Sequence, residues 1–309
     1  MSEAALFNVV DLGVGMSAAL AAQMLGHVGG RVTRIEPEGG DPFHEVYPAY
    51  AAWRRGSARA ELAQLDALLA DADIVVIGGE DYPGLDWRFD ADDLSRRYPR
   101  LVVVRIDGYA TADVANRPGV DLLVQARTGL VNEEYSDRPR AMAFPMPTYG
   151  AAMLAVLGAL AALVERDRSG KGQVVATSLQ QGAGLWVPGV WSHAEKADAA
   201  FRIGTPKDVR QPVFRCKDGK YLILMVGTPG VIHGIYKTLG IDIEADPKDR
   251  GLPDISRGPV NYFLDRSIVE PGFAAMDREA VLEGLWACGV AADAVLPVGG
   301  VWDDGQSAL

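Results

Sequence analysis

Two runs in the first half of the chain, Ile74–Ile77 and Leu101–Val104, consist wholly of branched or long aliphatic side chains. A strand of that kind has no face for water, so it must be covered on both sides. Asn8–Leu12 and Arg31–Glu36 also read as strands, while Ala18–Gly26 and Leu62–Ala72 have helical spacing. In the latter, Leu62, Leu65, Leu68 and Leu69 fall on one face. Apolar strands alternating with helices predict a parallel sheet with helices on both faces, a Rossmann-like α/β unit.

Further along, Ala151–Leu157 is apolar almost all round, which predicts a buried helix beginning near Gly150 and ending at Arg166-Asp-Arg-Ser-Gly170. The apolar run Ala151–Val164 is too short to span a bilayer. After about residue 200 the pattern changes. Val213–Cys216 and Tyr221–Val226 flank a KDGK turn and read as a hairpin. Val231–Leu239 and Arg278–Ala287 read as helices, Asp293–Pro297 as a last strand and Asp246–Pro259 as a loop. The expected organisation is a large Rossmann-like domain over 1–200 and a smaller α+β domain over 201–309.

The chain has 309 residues, 49% hydrophobic, with 30 basic against 41 acidic side chains and a net charge of −11. That balance disfavours nucleic acid and anionic membranes as partners. Two cysteines, Cys216 and Cys288, and four scattered histidines argue against a disulfide framework and a structural metal site. The N-terminus lacks the basic and apolar pattern of a signal peptide. A cytoplasmic protein is expected, with no metal and no tightly bound cofactor.

Gly13-Val-Gly15-Met16-Ser17-Ala18 joins the first strand to the first helix, and Glu36 closes the second strand. The pattern fits a dinucleotide fingerprint, in which backbone amides meet a pyrophosphate and the acid meets a ribose hydroxyl. It also fits any tight strand-to-helix turn. An NAD- or FAD-dependent oxidoreductase is therefore one alternative.

Longer blocks point elsewhere. The opening VVDLGVGMSAALAAQMLGHVGGRVTRIEPEGGDPF, the segments Arg117-Pro-Gly-Val-Asp121-Leu-Leu-Val-Gln125 and FPMPTYGAAMLAVLGALAALVERDRSGKGQ, and Val213–Lys220 stand in order. Together they resemble the class III CoA-transferases, the formyl-CoA transferase and carnitine CoA-transferase-like family. The resemblance implies a large and a small domain, an interlocked dimer and acyl-CoA as a ligand. It also implies CoA contacts at Gly15, Met16, Ser17 and Asp121 and near Arg54, Arg55 and Arg88. It implies a catalytic aspartate at the position held here by Thr148.

In that family a carboxylate attacks the thioester, forms a mixed anhydride and then carries CoA. A threonine hydroxyl is un-ionised at neutral pH and needs an adjacent base, and no histidine lies near it in sequence. The related α-methylacyl-CoA racemases pair the same aspartate with a histidine, and this chain has Val120 at that second position. Pro37 and Met16 replace an arginine and a glutamine of close relatives. Asp121 is retained, and as a buried carboxylate at a helix start it can cap amides. Glu133, Glu134 and Asp137 form a loop cluster that either stands in for the lost carboxylate or is simply solvated.

The resemblance thus implies a subunit without its own catalytic residue, acting in CoA exchange with a homologous subunit that carries the aspartate. A return segment that relatives send from the small domain to the large one is expected to be missing. The alternatives are a non-catalytic acyl-CoA-binding or regulatory homodimer, and a CoA-thioester lyase, isomerase or hydrolase with a repurposed site.

Overall fold

The computed structural model describes residues 5–47, 49–82, 84–111, 114, 117–132, 139–186, 210–244, 250–297 and 299–300. Described residues before 187 form one compact unit and those from 210 onward another. The expected boundary at 200/201, the Glu133/Glu134/Asp137 cluster, His193, part of the Asp246–Pro259 loop and the last nine residues lie outside the described residues.

The first unit is built on six parallel strands: β1 (Phe7–Asp11), β2 (Gly30–Arg34), β3 (Ala58–Arg59), β4 (Ile74–Gly78), β5 (Val102–Asp107) and β6 (Val174–Ser178). Their order is β3-β2-β1-β4-β5-β6. The chain reverses direction of winding at β1/β4. In sheets of this kind the crevice at the carboxyl ends of those two strands is where ligands bind.

Side-chain alternation in the central strands explains why the sequence is apolar throughout. Ile74, Val76, Val102, Val104 and Ile106 enter one core, with residues of α1 (Gly15–His27) and α6 (Met146–Ser169). Val75, Ile77 and Val103 enter the opposite core with Leu69 of α3 (Leu65–Ala70) and Leu94 of α4 (Ala91–Arg97). Each fully buried side chain of this size contributes roughly 1.5–3 kcal/mol. Between α1 and α3 lies the short α2 (Tyr50–Trp53); α5 (Asp121–Thr128) precedes α6, and α7 (Leu179–Gly184) follows β6.

Three expectations need correction here. The Leu62–Ala72 segment is a 3-10 turn, Leu62–Gln64, followed by the short α3; Leu62 is exposed and only Leu69 is fully buried. Helix α6 starts at Met146, not near Gly150, with Pro147 placed where a missing N–H costs nothing. Nor is α6 buried all round. Its alanines, Ala151, Ala152, Ala155, Ala159 and Ala162, pack inward, whereas Leu157 and Val164 are more than 60% exposed. An all-apolar helix buries the face whose small side chains allow close approach. At Gly150 a Cβ would lie 2.2 Å from the Gly182 carbonyl oxygen of α7. By length and composition alone α6 could cross a bilayer, but its alanine face is already part of the first core.

The second unit has an antiparallel sheet of β7 (Val213–Arg215), β8 (Tyr221–Leu224) and β9 (Ala292–Val295), with β8 in the middle. The hairpin turn forms at Lys217–Lys220, where Cys216 N–H donates to the Lys220 carbonyl at 2.8 Å. Helices α8 (Val231–Thr238), α9 (Gly258–Asn261), α10 (Arg266–Ala275) and α11 (Arg278–Ala287) complete it. Leu222 and Leu224 face a core in which the Phe214 and Phe273 rings stack at 4.5 Å. This is an α+β arrangement.

Candidate active site

The glycine turn rests on buried charge. Asp11, at the end of β1, accepts from Gly13 N–H at 2.9 Å and from Arg34 and Arg54, each at 2.7 Å. Asp41 accepts from Gly15 N–H at 3.1 Å, from Arg34 at 2.6 Å and from Arg54 at 2.9 Å. Arg34 Nε donates to Glu36 at 2.8 Å, and Glu36 also accepts from Tyr50 and Arg59. Burial disfavours the Arg34 charge, yet Asp11, Tyr50, Glu36 and Asp41 more than offset it, so its pKa rises further.

This arrangement corrects the fingerprint reading. The Gly13 and Gly15 amides are taken by carboxylates, and Val14 N–H donates to the Gly78 carbonyl at 2.9 Å. Glu36 is held by two arginines and a tyrosine. A pyrophosphate here would find the Gly13, Val14 and Gly15 amides and Glu36 already engaged, and it would face Asp41. Arg54, expected near CoA, is instead a tie between Asp11 and Asp41, and its side chain is about one-tenth exposed.

The second layer lies beside the turn. Strand β4 leaves the sheet through Gly78 (φ 79°) and Gly79 (φ 119°), where a Cβ would lie 2.2 Å from the Ile106 oxygen and 2.1 Å from the Val14 oxygen. Only glycine fits both places. The double-glycine exit brings Glu80 under the β1–α1 turn, with its amide on the Val14 carbonyl at 3.1 Å.

There Glu80 meets Thr148 and Asp121. Thr148, in the first turn of α6, is fully buried. Its amide donates to Asp121 Oδ2 at 2.9 Å, and its Oγ lies 2.6 Å from that same oxygen and 3.1 Å from Glu80 Oε1. Gln125 donates to Asp121 Oδ1 at 2.7 Å and accepts from Met142 N–H. Asp121 therefore caps an amide, but of α6 and not of the helix it begins.

Proton counting fixes the charges. Thr148 has one hydroxyl hydrogen and two carboxyl oxygens beside it. The shorter contact takes that hydrogen: Thr148 donates to Asp121, which also receives the amide hydrogen. When Glu80 is protonated its own hydrogen closes the contact with Thr148 Oγ; when it is ionised it can only accept from Thr148, which favours the charged form. Burial pushes the Glu80 carboxyl up to about 7; Asp121 and Asp41 add to the rise. Thr148 and the Met16 amide, which faces the carboxyl without closing a hydrogen bond onto Oε2, oppose it. Tyr47, also facing the pair, is pushed up to about 12 by its own burial and by Glu80 and Asp121. Glu80 is thus a buried carboxylic acid poised near neutrality.

The expectation that Thr148 lacks a base is corrected as well: two carboxyl groups touch its hydroxyl. That does not make it a nucleophile. Its single proton is committed to the two carboxyl groups beside it, and it has no accessible surface.

A cavity of about 600 Å³ opens at the carboxyl ends of β4 and β5, lined by Glu80, Tyr82, Trp87, Arg88, Arg105 and Tyr109 among others. Of the residues expected to bind CoA, Gly15 packs against the Glu80 carboxyl, and Met16 and Ser17 are buried in the start of α1. Arg88 is exposed on the cavity rim, 3.8 Å from Asp81. Arg54 and Arg55 border a separate hollow of about 230 Å³. The structure therefore gathers Gly15, Met16, Asp121 and Thr148 around Glu80, puts Arg88 on the rim of the same cavity, and leaves Arg55 apart. Sequence reasoning missed Glu80; its signal was a Gly-Gly-Glu ending a fully apolar strand.

The sequence matches the family described as CoA-transferase family III over residues 7–308. The chain belongs to that family. It is 28% identical over 198 residues to the succinyl-CoA–D-citramalate CoA-transferase of Chloroflexus aurantiacus, covering 57% of this chain and 48% of that protein. It is 26% identical over 262 residues to the succinyl-CoA–L-malate CoA-transferase alpha subunit of the same organism, covering 75% and 60%. The chain thus spans roughly half to three-fifths of the length of these relatives. Among solved structures, a CAIB/BAIF family protein from Brucella suis has a TM-score of 0.77 at 21% identity, over 98% of this chain and 86% of that one. At that identity the likeness concerns the fold.

Proposed function

We propose that this member of CoA-transferase family III works as one subunit of an assembly that exchanges CoA between an acyl-CoA and a free carboxylic acid, and that residue 148 has no covalent part in it. Family membership and the transferase relatives support the reaction class. The cavity at the carboxyl ends of β4 and β5 is the proposed place for the acyl-CoA, with exposed Arg88 on its rim as the proposed contact to the CoA phosphates. The observation that carries the second clause is the Thr148 hydroxyl, enclosed and committed to two carboxyl groups.

Thr148→Val tests it. Removing the hydroxyl leaves Glu80 and Asp121 unbridged and is expected to cost about 1–3 kcal/mol of stability, read from urea unfolding. CoA exchange should persist within about tenfold. Loss of all turnover in a folded Thr148→Val protein, together with an acyl group mapped to Thr148 in the parent, would overturn the reading.

One feature favours a narrower version. With position 148 silent, a homologous partner subunit can supply the acyl-accepting carboxylate while this chain shapes the pocket. An interlocked pair, with a homologue or with a second copy, is the assembly proposed. A relative being called an alpha subunit is compatible with unlike chains. Assays of the lone chain and of the chain co-expressed with a homologue separate the versions.

A further inference from the structure

We infer that the carboxylate absent from position 148 is supplied within this chain by Glu80, which acts as the acyl and CoA acceptor of the same crevice. The inference rests on the CoA-exchange reading above and replaces its partner-supplied version, leaving any partner a role in assembly alone.

Position comes first. Glu80 Oε1 stands 3.1 Å from Thr148 Oγ, so a carboxyl group on the end of β4 reaches the atoms that a shorter acid at the start of α6 would occupy. Glu80 is 5% exposed, yet it lines the 600 Å³ cavity, and its Oε2 has no hydrogen-bond partner among the described residues. A buried carboxyl oxygen without a donor is costly. The double glycine at 78 and 79 that places it there is itself confined by two carbonyl oxygens. A backbone path open only to glycine and an unmet acceptor thus meet at one residue.

The chemistry closes. Once ionised, Glu80 attacks the thioester carbonyl carbon; the carbon–sulfur bond breaks and CoA leaves as the thiolate with the electron pair. The thiolate attacks the glutamyl carbonyl of the resulting anhydride, releasing the donor acid as its carboxylate and leaving a glutamyl–CoA thioester. An incoming carboxylate attacks that thioester, CoA departs again as thiolate, and its attack on the new acyl carbon yields the new acyl-CoA and restores Glu80. Burial first, and then the charges of Asp121 and Asp41, set the pH at which it ionises, and Tyr47 faces the same group. Activity should therefore rise with pH through about 7.

The experiment incubates the purified chain, alone and co-expressed with a homologue, with succinyl-CoA, traps adducts with hydroxylamine and maps them by peptide mass spectrometry. CoA exchange is followed in parallel, as is CoA binding by calorimetry. A hydroxamate on Glu80, with Glu80→Gln folded but more than about a hundredfold slower in exchange, supports the inference. Glu80→Asp, which keeps the charge but not the reach, should retain adduct formation at a reduced rate and keep the pH dependence. Exchange without a Glu80 adduct, or undiminished in Glu80→Gln, overturns the inference and leaves the CoA-exchange reading standing. Neither exchange nor CoA binding, in either preparation, overturns both.

Discussion

Arg34→Ala is expected to lower the free energy of unfolding by about 3–5 kcal/mol, the cost of leaving buried charges without their partner. The three nitrogens of this guanidinium each serve a different carboxylate: Nε serves Glu36, Nη1 serves Asp11 and Nη2 serves Asp41. The side chains of Arg34, Asp11 and Asp41 are all at most 1% exposed. Without Arg34, Arg54 alone among the described residues remains to neutralise Asp11 and Asp41, which also hold the Gly13 and Gly15 amides. Arg34→Lys should recover only part of the loss, because an ammonium cannot form three divergent bonds from a planar fork. Denaturant unfolding reads both variants, and the effect should survive high salt because the group is shielded from it. A loss below about 1 kcal/mol would mean that the network is not a support of the turn.

The second large effect concerns Glu80. In the unfolded chain this carboxyl loses its proton near its ordinary value of 4.5, whereas in the folded protein it keeps it up to about 7. Between those values the folded state holds more protons. Stability is therefore highest at the acid end of the window and falls as pH rises through it, levelling off above about 7. The gap is worth about 3 kcal/mol. Glu80→Gln has no proton to lose, so its stability should be flat over this window. It should unfold at higher denaturant than the parent at pH 8 and at about the same denaturant near pH 4. Equal pH dependence in the two proteins would show that Glu80 is an ordinary ionised acid. A residue that weakens the fold at working pH is what a functional site commonly contains.

The sequence was most legible where a local pattern has a single solution. Ile74–Ile77 and Leu101–Val104 can only be doubly covered strands, and they form the neighbouring inner strands β4 and β5. Arg278–Ala287 is a helix to the residue, and the KDGK turn closes a hairpin. Thr148 and Asp121 were visible as site positions through the blocks that surround them.

What the sequence did not show depended on contacts across long separations. Glu80 gains its character from Thr148, 68 residues away, and from a backbone path that needs positive φ at two glycines. Arg54 and Glu36 look like ligand-binding residues until Arg34, Asp11 and Asp41 are placed beside them. The outer side of α6 was misjudged because periodicity cannot say which face of a uniformly apolar helix meets the core. The glycine turn was legible as a turn, but not that carboxylates from its own chain take the Gly13 and Gly15 amides.

On this reading the acidic function of the crevice has passed to Glu80, with Thr148 reduced to a bridge. Following the Glu80 side-chain carboxyl carbon by ¹³C NMR across pH, with Glu80→Gln to assign the signal, tests it most directly. A titration midpoint near 7 is predicted. A carboxyl already ionised at pH 5, titrating in the ordinary range of an exposed glutamate, would contradict it.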